Sequence, residues 1–256
     1  MERIRPSKRL GQHFLVSRKV ARAFSSWACK YRRLFEIGPG TGFITSQVLR
    51  DCKELEFLAA IELDKRLSNH LAALSLIDWR LQPILSNALS PPLVLRRFDA
   101  GYGSIPYNIT GPLLSLLVKV FQKPVLLLVQ KEVADRLLAK PGTKNYGRVT
   151  ILVNLAYEVR KIMTVPPTAF RPRPKVYSQI IELVPRRHIN QDTVELVEEL
   201  TRCFFSRRRK LARKAGRECL GDCAEKYIED TVRVYELEPG FFLEVAQRCA
   251  RKPRNQ

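Results

Sequence analysis

No stretch of about 18 consecutive apolar residues occurs in the chain, which excludes a helical membrane span. No positively charged leader with an apolar core and a cleavage site opens it, so a cytoplasmic location is expected. Cysteine pairing motifs are also missing. None of Cys29, Cys52, Cys203, Cys219, Cys223 and Cys249 falls in a CxxC pair, and the spacing of Cys219 and Cys223 suits a helix better than zinc. We therefore expect no metal, and free thiols in a chain of 256 residues that buries enough core to fold without disulfide staples. Repeats and low-complexity tracts are absent. Acid is scarce as well: 25 Asp and Glu face 45 Lys and Arg, leaving a net charge of +20. Such a balance says nothing about fold but favours a polyanionic partner.

The charge is uneven. From Arg202 to Arg217 there are eight basic residues and no acid, and "CFFSRRRK" (203–210) joins that run to aromatic residues. A second basic patch, "MERIRPSKRL", lies at the start. Arg207, Arg208, Arg209, Lys210, Arg213 and Lys214 are the candidate contacts to a phosphate backbone.

Apolar runs expected as strands lie at 34–38, 56–63, 81–85, 99–105 and 124–130, with helical spacing over 42–51, 64–74 and 111–121. This alternation predicts an α/β fold with a mostly parallel sheet. Two more strands are expected near 157–165 and 176–184, around a proline-rich stretch, and charged helical patterning resumes at Asn190. A boundary near Arg187 would separate a catalytic domain, 1–187, from a small basic helical domain, 188–256.

The stretch "FEIGPGTGF" (35–43) places glycines at 38, 40 and 42 directly behind a strand. Bare backbone there can approach a ligand and hand it to a helix N-terminus. The spacing is tighter than the dinucleotide fingerprint G-x-G-x-x-G, and Glu36 adds an acid. Glu62, at the end of the second expected strand, is placed to accept ribose hydroxyls. A nucleoside-bearing cofactor other than a dinucleotide is the expectation.

With "GSIPYNIT" (103–110) at the end of the fourth expected strand, the chain resembles S-adenosylmethionine-dependent methyltransferases that act on an adenine amino group. "RLGQHFL" (9–15), "EIGPGTGFIT" (36–45), "AIELD" (60–64), "IPYNITGPLL" (105–114), "QKEVADRLLAKPGTKNYGR" (130–148) and "VPPTAFRPRPKVYS" (165–178) occur in the order seen in ribosomal RNA adenine dimethyltransferases. The resemblance is greatest to the branch that dimethylates two adjacent adenosines in the 3′-terminal hairpin of small-subunit RNA, which includes the bacterial kasugamycin-sensitivity protein and its archaeal and eukaryotic relatives. It implies a Rossmann-like methyltransferase fold with a seven-stranded, mostly parallel sheet, helices on both faces and a small C-terminal helical domain. It implies S-adenosyl-L-methionine as cofactor and the immature small ribosomal subunit or its RNA as partner, with the protein expected to be a monomer.

Carried onto this sequence, the resemblance implies that Gln12, Gly38 and Gly40 line the methionine end of the cofactor. Glu62 would bind the ribose, and Asn87 with Ala88 would flank the adenine. His13, Leu15, Glu36, Leu63 and Ser104 complete the implied cofactor set. The target base would lie against Tyr107, with Phe170 closing its other face. Acceptors from Ser104, Ile105 and Pro106 would hold the amino group so that its delocalised lone pair localises toward the methyl donor.

Two positions depart from the family pattern: Ser104 stands where Asn is usual, and Asn87 where Asp is usual. The second is expected to weaken cofactor binding by about 1 kcal/mol, one hydrogen bond's net worth. Two alternatives stay open on the sequence. One is an assembly or RNA-binding factor with weak or lost transfer, and the other is a methyltransferase of large-subunit RNA.

Overall fold

The computed structural model describes residues 5–7, 10–221, 223, 226–229 and 231–249. Most of the N-terminal basic stretch and the last seven residues of the expected helical domain lie outside them. Two compact units are present. The first comprises Met1–Leu113, Lys123–Ala134 and Arg160–Val184; the second comprises Leu114–Gln122, Asp135–Val159 and Pro185–Gln256.

The chain enters through a two-residue strand, β1 (Phe14–Leu15), and a helix, α1 (Arg18–Ala28). Alternation then follows: β2 (Arg33–Ile37), α2 (Phe43–Asp51), β3 (Phe57–Glu62), α3 (Lys65–Ser75), β4 (Leu81–Leu85), β5 (Ala100–Ser104), α4 (Thr110–Val120) and β6 (Val125–Gln130). Next come α5 (Lys131–Leu137), α6 (Arg148–Ala156), β7 (Tyr157–Val165), β8 (Phe170–Arg171) and β9 (Ser178–Pro185). Seven strands form one sheet in the order β4-β3-β2-β5-β6-β9-β7. The β3–β4, β2–β3, β2–β5 and β5–β6 pairs are parallel, and β6–β9 is antiparallel.

The central strands are apolar without alternation because both faces of a parallel sheet are covered. Leu34, Phe35 and Ile37 of β2, Leu58 to Ile61 of β3 and Val125 to Val129 of β6 are all buried. Helix α1 turns Val20, Phe24 and Trp27 toward the same core, and the Trp27 Nε1–H donates to Glu182 at 2.7 Å. At Gly101 of β5 a Cβ would lie 2.2 Å from Cζ of Phe35, so the buried ring takes the space of a side chain.

The second unit adds α7 (Gln191–Phe205), α8 (Ala212–Leu220) and a helix here labelled α9 (Pro239–Cys249). Phe204, Phe241 and Phe242 meet edge to face at centroid distances of 5.3–6.0 Å, and Phe205 stands 6.2 Å from Tyr146. The aromatic residues beside the basic run therefore hold helices together.

The expected free thiols are not found. Disulfides join Cys29 to Cys52, Cys203 to Cys219, and Cys223 to Cys249, and no free cysteine remains. Sequence spacing did not reveal these pairs because each joins the ends of different helices or their neighbouring loops, 16 to 26 residues apart. Among the described residues no helix is long and apolar enough to cross a membrane, and no group of three or more side chains is suited to hold a metal.

Replacing Cys203 and Cys219 together by serine frees a loop of 16 residues, which in the chain-entropy model costs about 3 kcal/mol. Calorimetry should show melting about 10 °C lower than for the oxidised chain. Equal melting of the oxidised, reduced and substituted forms would mean that this bond contributes nothing.

Candidate active site

In an open parallel sheet, ligands bind beyond the carboxyl ends of the strands where the strand order reverses. Here that point lies between β2, whose crossover leads to β3 on one side, and β5 on the other. A cleft opens there. Its walls come from the residues at or just after the ends of β2 (Gly38 to Thr41), β3 (Glu62, Leu63), β4 (Ser86 to Ala88) and β5 (Ser104 to Ile109), together with the arm Leu10 to Leu15. Gln12, His13, Leu15, Gly38, Gly40, Glu62, Leu63, Asn87, Ala88, Ser104, Ile105, Pro106, Tyr107 and Phe170 all line it.

The glycine turn is built for close approach. Gly38 has φ +65°, and a Cβ there would stand 3.0 Å from the Ser104 carbonyl oxygen. Gly42, at φ +74°, caps α2 in the left-handed region that favours glycine, and a Cβ there would press on Cδ1 of Leu74 at 2.9 Å. The Gly40 N–H donates to Oε2 of Glu62 at 3.1 Å, while Oε1 accepts from Leu63 N and Asp64 N, each at 2.9 Å. Burial raises the Glu62 pKa above the ordinary carboxylate value, and these three N–H groups counter the rise.

Glu36 is the member of the implied cofactor set that does not reach the cleft. It lies fully buried beneath the glycine turn, where Oε2 accepts from the Thr45 hydroxyl at 2.6 Å and from Tyr102 at 3.2 Å. Its Oε1 has no partner. Desolvation pushes its pKa up from 4.5 to about 7, against the two hydrogen bonds.

The opposite wall is aromatic and polar. The Tyr107 ring lies 6.0 Å from that of His13 at an interplanar angle of 29°, and its hydroxyl meets the Ser178 hydroxyl at 3.2 Å. His13 Nδ1 donates to the Pro172 carbonyl at 2.8 Å. The carbonyl of Pro106 accepts the Ile109 N–H at 3.2 Å and a longer contact from the Thr110 hydroxyl at 3.4 Å, which that hydroxyl shares with the Tyr107 carbonyl. Phe170 touches the cleft but is only 2% exposed, packed with Leu15 and Ala169 in the core. In this conformation it offers an edge of the wall and no open stacking face.

Some partners were not anticipated. β1 pairs with β8, setting Phe14 opposite Arg171 and Leu15 opposite Phe170, and this fastens the arm to the proline-rich loop. Gln12 donates to Asp64 at 2.9 Å and accepts the Ser7 N–H at 2.8 Å, so both ends of its amide are engaged. Asp64 also takes a bidentate contact from Arg66, which holds its pKa down at about 2. The acid at position 64, two residues after Glu62, was the one sequence signal for this network. Asn87 is exposed, with Oδ1 accepting the Leu89 N–H at 3.0 Å.

In the second unit the basic run divides by role. Arg208 is half-buried and donates to the carbonyls of Thr143, Lys144 and Tyr146 at 2.9–3.2 Å, with its guanidinium 5.2 Å from the Tyr235 ring. Arg207 pairs with Glu218. These two hold the fold or an ion pair. Arg209, Lys210 and Lys214 are exposed, and Arg213 is half-buried.

The raised Glu36 pKa fixes the sign of a pH effect. Because the folded value exceeds the ordinary one, stability is full below about pH 4.5 and falls as pH rises through about 7, by on the order of 3 kcal/mol. Glu36→Gln removes this loss, so the melting temperature of the variant relative to the unsubstituted chain should rise between pH 5 and pH 8. A difference independent of pH would show that Glu36 does not titrate in this range.

Comparison with known proteins gives a consistent result. The chain is 33% identical over 241 residues to a probable ribosomal RNA small subunit methyltransferase A of Pyrobaculum aerophilum, covering 94% of this chain and 97% of the relative. It is 34% identical to the ribosomal RNA small subunit methyltransferase A of Anaplasma phagocytophilum, covering 88% and 86%. Among solved structures, a dimethyladenosine transferase from Plasmodium falciparum superposes with a TM-score of 0.73 at 24% identity, over 92% of this chain and 98% of the other. The 23S rRNA methyltransferase ErmE superposes with a TM-score of 0.64 at 21% identity, over 93% and 100%. Both structures share the fold. The profile described as ribosomal RNA adenine dimethylase matches residues 3–251, and with that match the chain belongs to the ribosomal RNA adenine dimethylase family.

Proposed function

We propose that the protein transfers methyl groups from S-adenosyl-L-methionine to N6 of two adjacent adenosines in the 3′-terminal hairpin of small-subunit ribosomal RNA, acting on immature subunits as a cytoplasmic monomer. The observation that carries this reading is the juxtaposition in one cleft of a bare glycine turn, a carboxylate held at the end of β3, and the Ser104-Ile105-Pro106-Tyr107 run at the end of β5. The names of the small-subunit relatives favour that RNA over the large-subunit alternative.

The site fits the cofactor. The Gly38 backbone leaves a cradle that a Cβ would crowd, and Glu62 presents a carboxylate anchored by three N–H groups at the cleft edge. Gln12, Gly38 and Gly40 would hold the methionine end, Glu62 the ribose, and Asn87 with Ala88 the adenine. When bound, the cofactor supplies a methyl group on a sulfonium, an electrophile that needs no metal. Tyr107 offers a ring for a splayed-out base to stack on. The Ser104 hydroxyl would accept one amino hydrogen, and the Pro106 carbonyl the other once the long Thr110 contact gives way to its alternative at the Tyr107 carbonyl. No general base is needed to begin, because the proton can leave after transfer.

The first unit would carry the chemistry, and the C-terminal helical residues would carry part of the grip on RNA through Arg209, Lys210 and Lys214. A cytoplasmic site of action requires the three disulfides to survive there, as intracellular disulfides do in hyperthermophiles.

Incubation with labelled cofactor, unmodified small subunits and unmodified large-subunit RNA, followed by mass spectrometric mapping, tests the reading. Two dimethylated adenosines in the 3′-terminal small-subunit hairpin are expected. Label in the large subunit, or cofactor binding without product, would refute it.

Charge reversal at Arg209, Lys210 and Lys214 together should weaken RNA binding at least tenfold and flatten its salt dependence, by about one unit of slope for each lost phosphate contact. Cofactor affinity should stay unchanged. Unaltered RNA binding would take these residues out of the interface.

A further inference from the structure

A second pocket adjoins the cleft on the first unit. It is lined by Arg18 and Arg22 of α1, by Ser46, Gln47 and Arg50 of α2, and by Thr41, Gly42 and Phe43, and it shares Thr41 and Phe43 with the cleft. All three arginines are exposed, and none makes a salt bridge to a described residue. One acid faces them. Asp51, whose Oδ2 accepts from Ser25 and from Gln47 at 2.7 Å, feels Arg50 and Arg22 and leaves the cluster at a net charge of about +2.

The arrangement works against the helix that carries it. Arg18 and Lys19 occupy the first turn of α1, where the macrodipole favours acids, and that turn contains no acid. Ser17, at the N-cap, makes no capping hydrogen bond. Arg18 and Arg22 are four apart on the helix, a like-charge spacing that destabilises it. A bound anion would relieve both penalties at once. Guanidinium groups suit phosphate in particular, because their donors form a planar fork that matches two of its oxygens.

We propose that Arg18, Arg22 and Arg50 form a subsite for a backbone phosphate of the RNA whose adenosine enters the adjoining cleft. This rests on the proposed function for the identity of the RNA. The subsite stands apart from the basic run of the second unit in sequence and in the unit that carries it. Through Thr41 and Phe43 it would fix the RNA strand beside the glycine turn, so that one contact positions the strand while the cleft reads the base.

The test compares the full chain with a variant carrying Arg18→Gln, Arg22→Gln and Arg50→Gln, using unmodified small ribosomal subunits as the RNA. Glutamine keeps good helix propensity. RNA binding is measured from low to high salt, methyl transfer is resolved into KM and kcat, and cofactor affinity and melting temperature are recorded. We expect KM for RNA to rise about tenfold, with the loss in KM and not in kcat, and the salt slope to fall by about one unit. Cofactor affinity should be unchanged, and the corresponding Arg→Lys variant should recover part of the RNA affinity.

Normal methyl transfer with unaltered RNA affinity and slope in the glutamine variant would overturn the subsite and leave the proposed function standing. RNA binding that weakens in the variant, in a chain that never methylates, would uphold the subsite and overturn the function. Absence of RNA binding in the unsubstituted chain would overturn both. If the triple variant does not fold, Arg18→Gln and Arg50→Gln made singly carry the same test, each with a smaller rise in KM.

Discussion

Three backbone N–H groups converge on the Glu62 carboxylate, and the geometry of the cleft depends on that convergence. One comes from Gly40 on the turn after β2; the others come from Leu63 and Asp64, where β3 gives way to α3. The carboxylate thus ties the glycine turn to the neighbouring strand end. Only 7% of Glu62 is exposed, so the charge is held by protein dipoles and not by water. A charged group with its hydrogen-bonding partners fixed before a ligand arrives needs little reorganisation on binding. Asp64 continues the network by receiving Gln12, so the arm that crosses the cleft is fixed from the same corner.

Beneath that corner a second carboxylate plays a different part. Glu36 is adjacent to the cleft in sequence but not in space, since β2 alternates its side chains across the sheet and directs this one inward. Thr45 on α2 and Tyr102 on β5 meet there, so the acid links strand, helix and sheet below the turn. Its unpartnered oxygen and elevated pKa are the cost of placing a carboxyl in a dry core. Two acids therefore support the glycine turn in different ways: Glu62 lines the cleft and accepts from Gly40, while Glu36 ties β2 to α2 and β5 out of reach of the cleft.

The sheet was readable in the sequence because parallel strands covered on both faces are unbroken apolar runs. "PVLLLVQ" and "LFEIG" match β6 and β2 to within a residue at each end. Helix α1 was missed, although Val20, Phe24 and Trp27 follow a helical spacing on its buried side. The β1–β8 pair was not readable at all, since two residues carry no periodicity and their partners lie about 155 positions away. The wall residues of the cleft were reached through motif resemblance, which names positions but gives no burial. Burial is what separates Glu36 from Glu62 and leaves Phe170 an edge of the wall.

Arginine content illustrates why a charge count locates a partner but not a contact. Arg80 gives donors to Asp78 and to the carbonyls of Leu49 and Cys52, and Arg208 reaches three carbonyls of one loop. A guanidinium whose fork is already filled by carbonyls has little left to offer a phosphate, whatever its formal charge. Substituting such a residue would disturb folding first and binding only through folding. Arg209 and the arginines of α1 sit on the surface, where a carbonyl-rich loop does not close over them. Within one strongly basic sequence, the number of donors already engaged separates structural cations from those able to bind RNA.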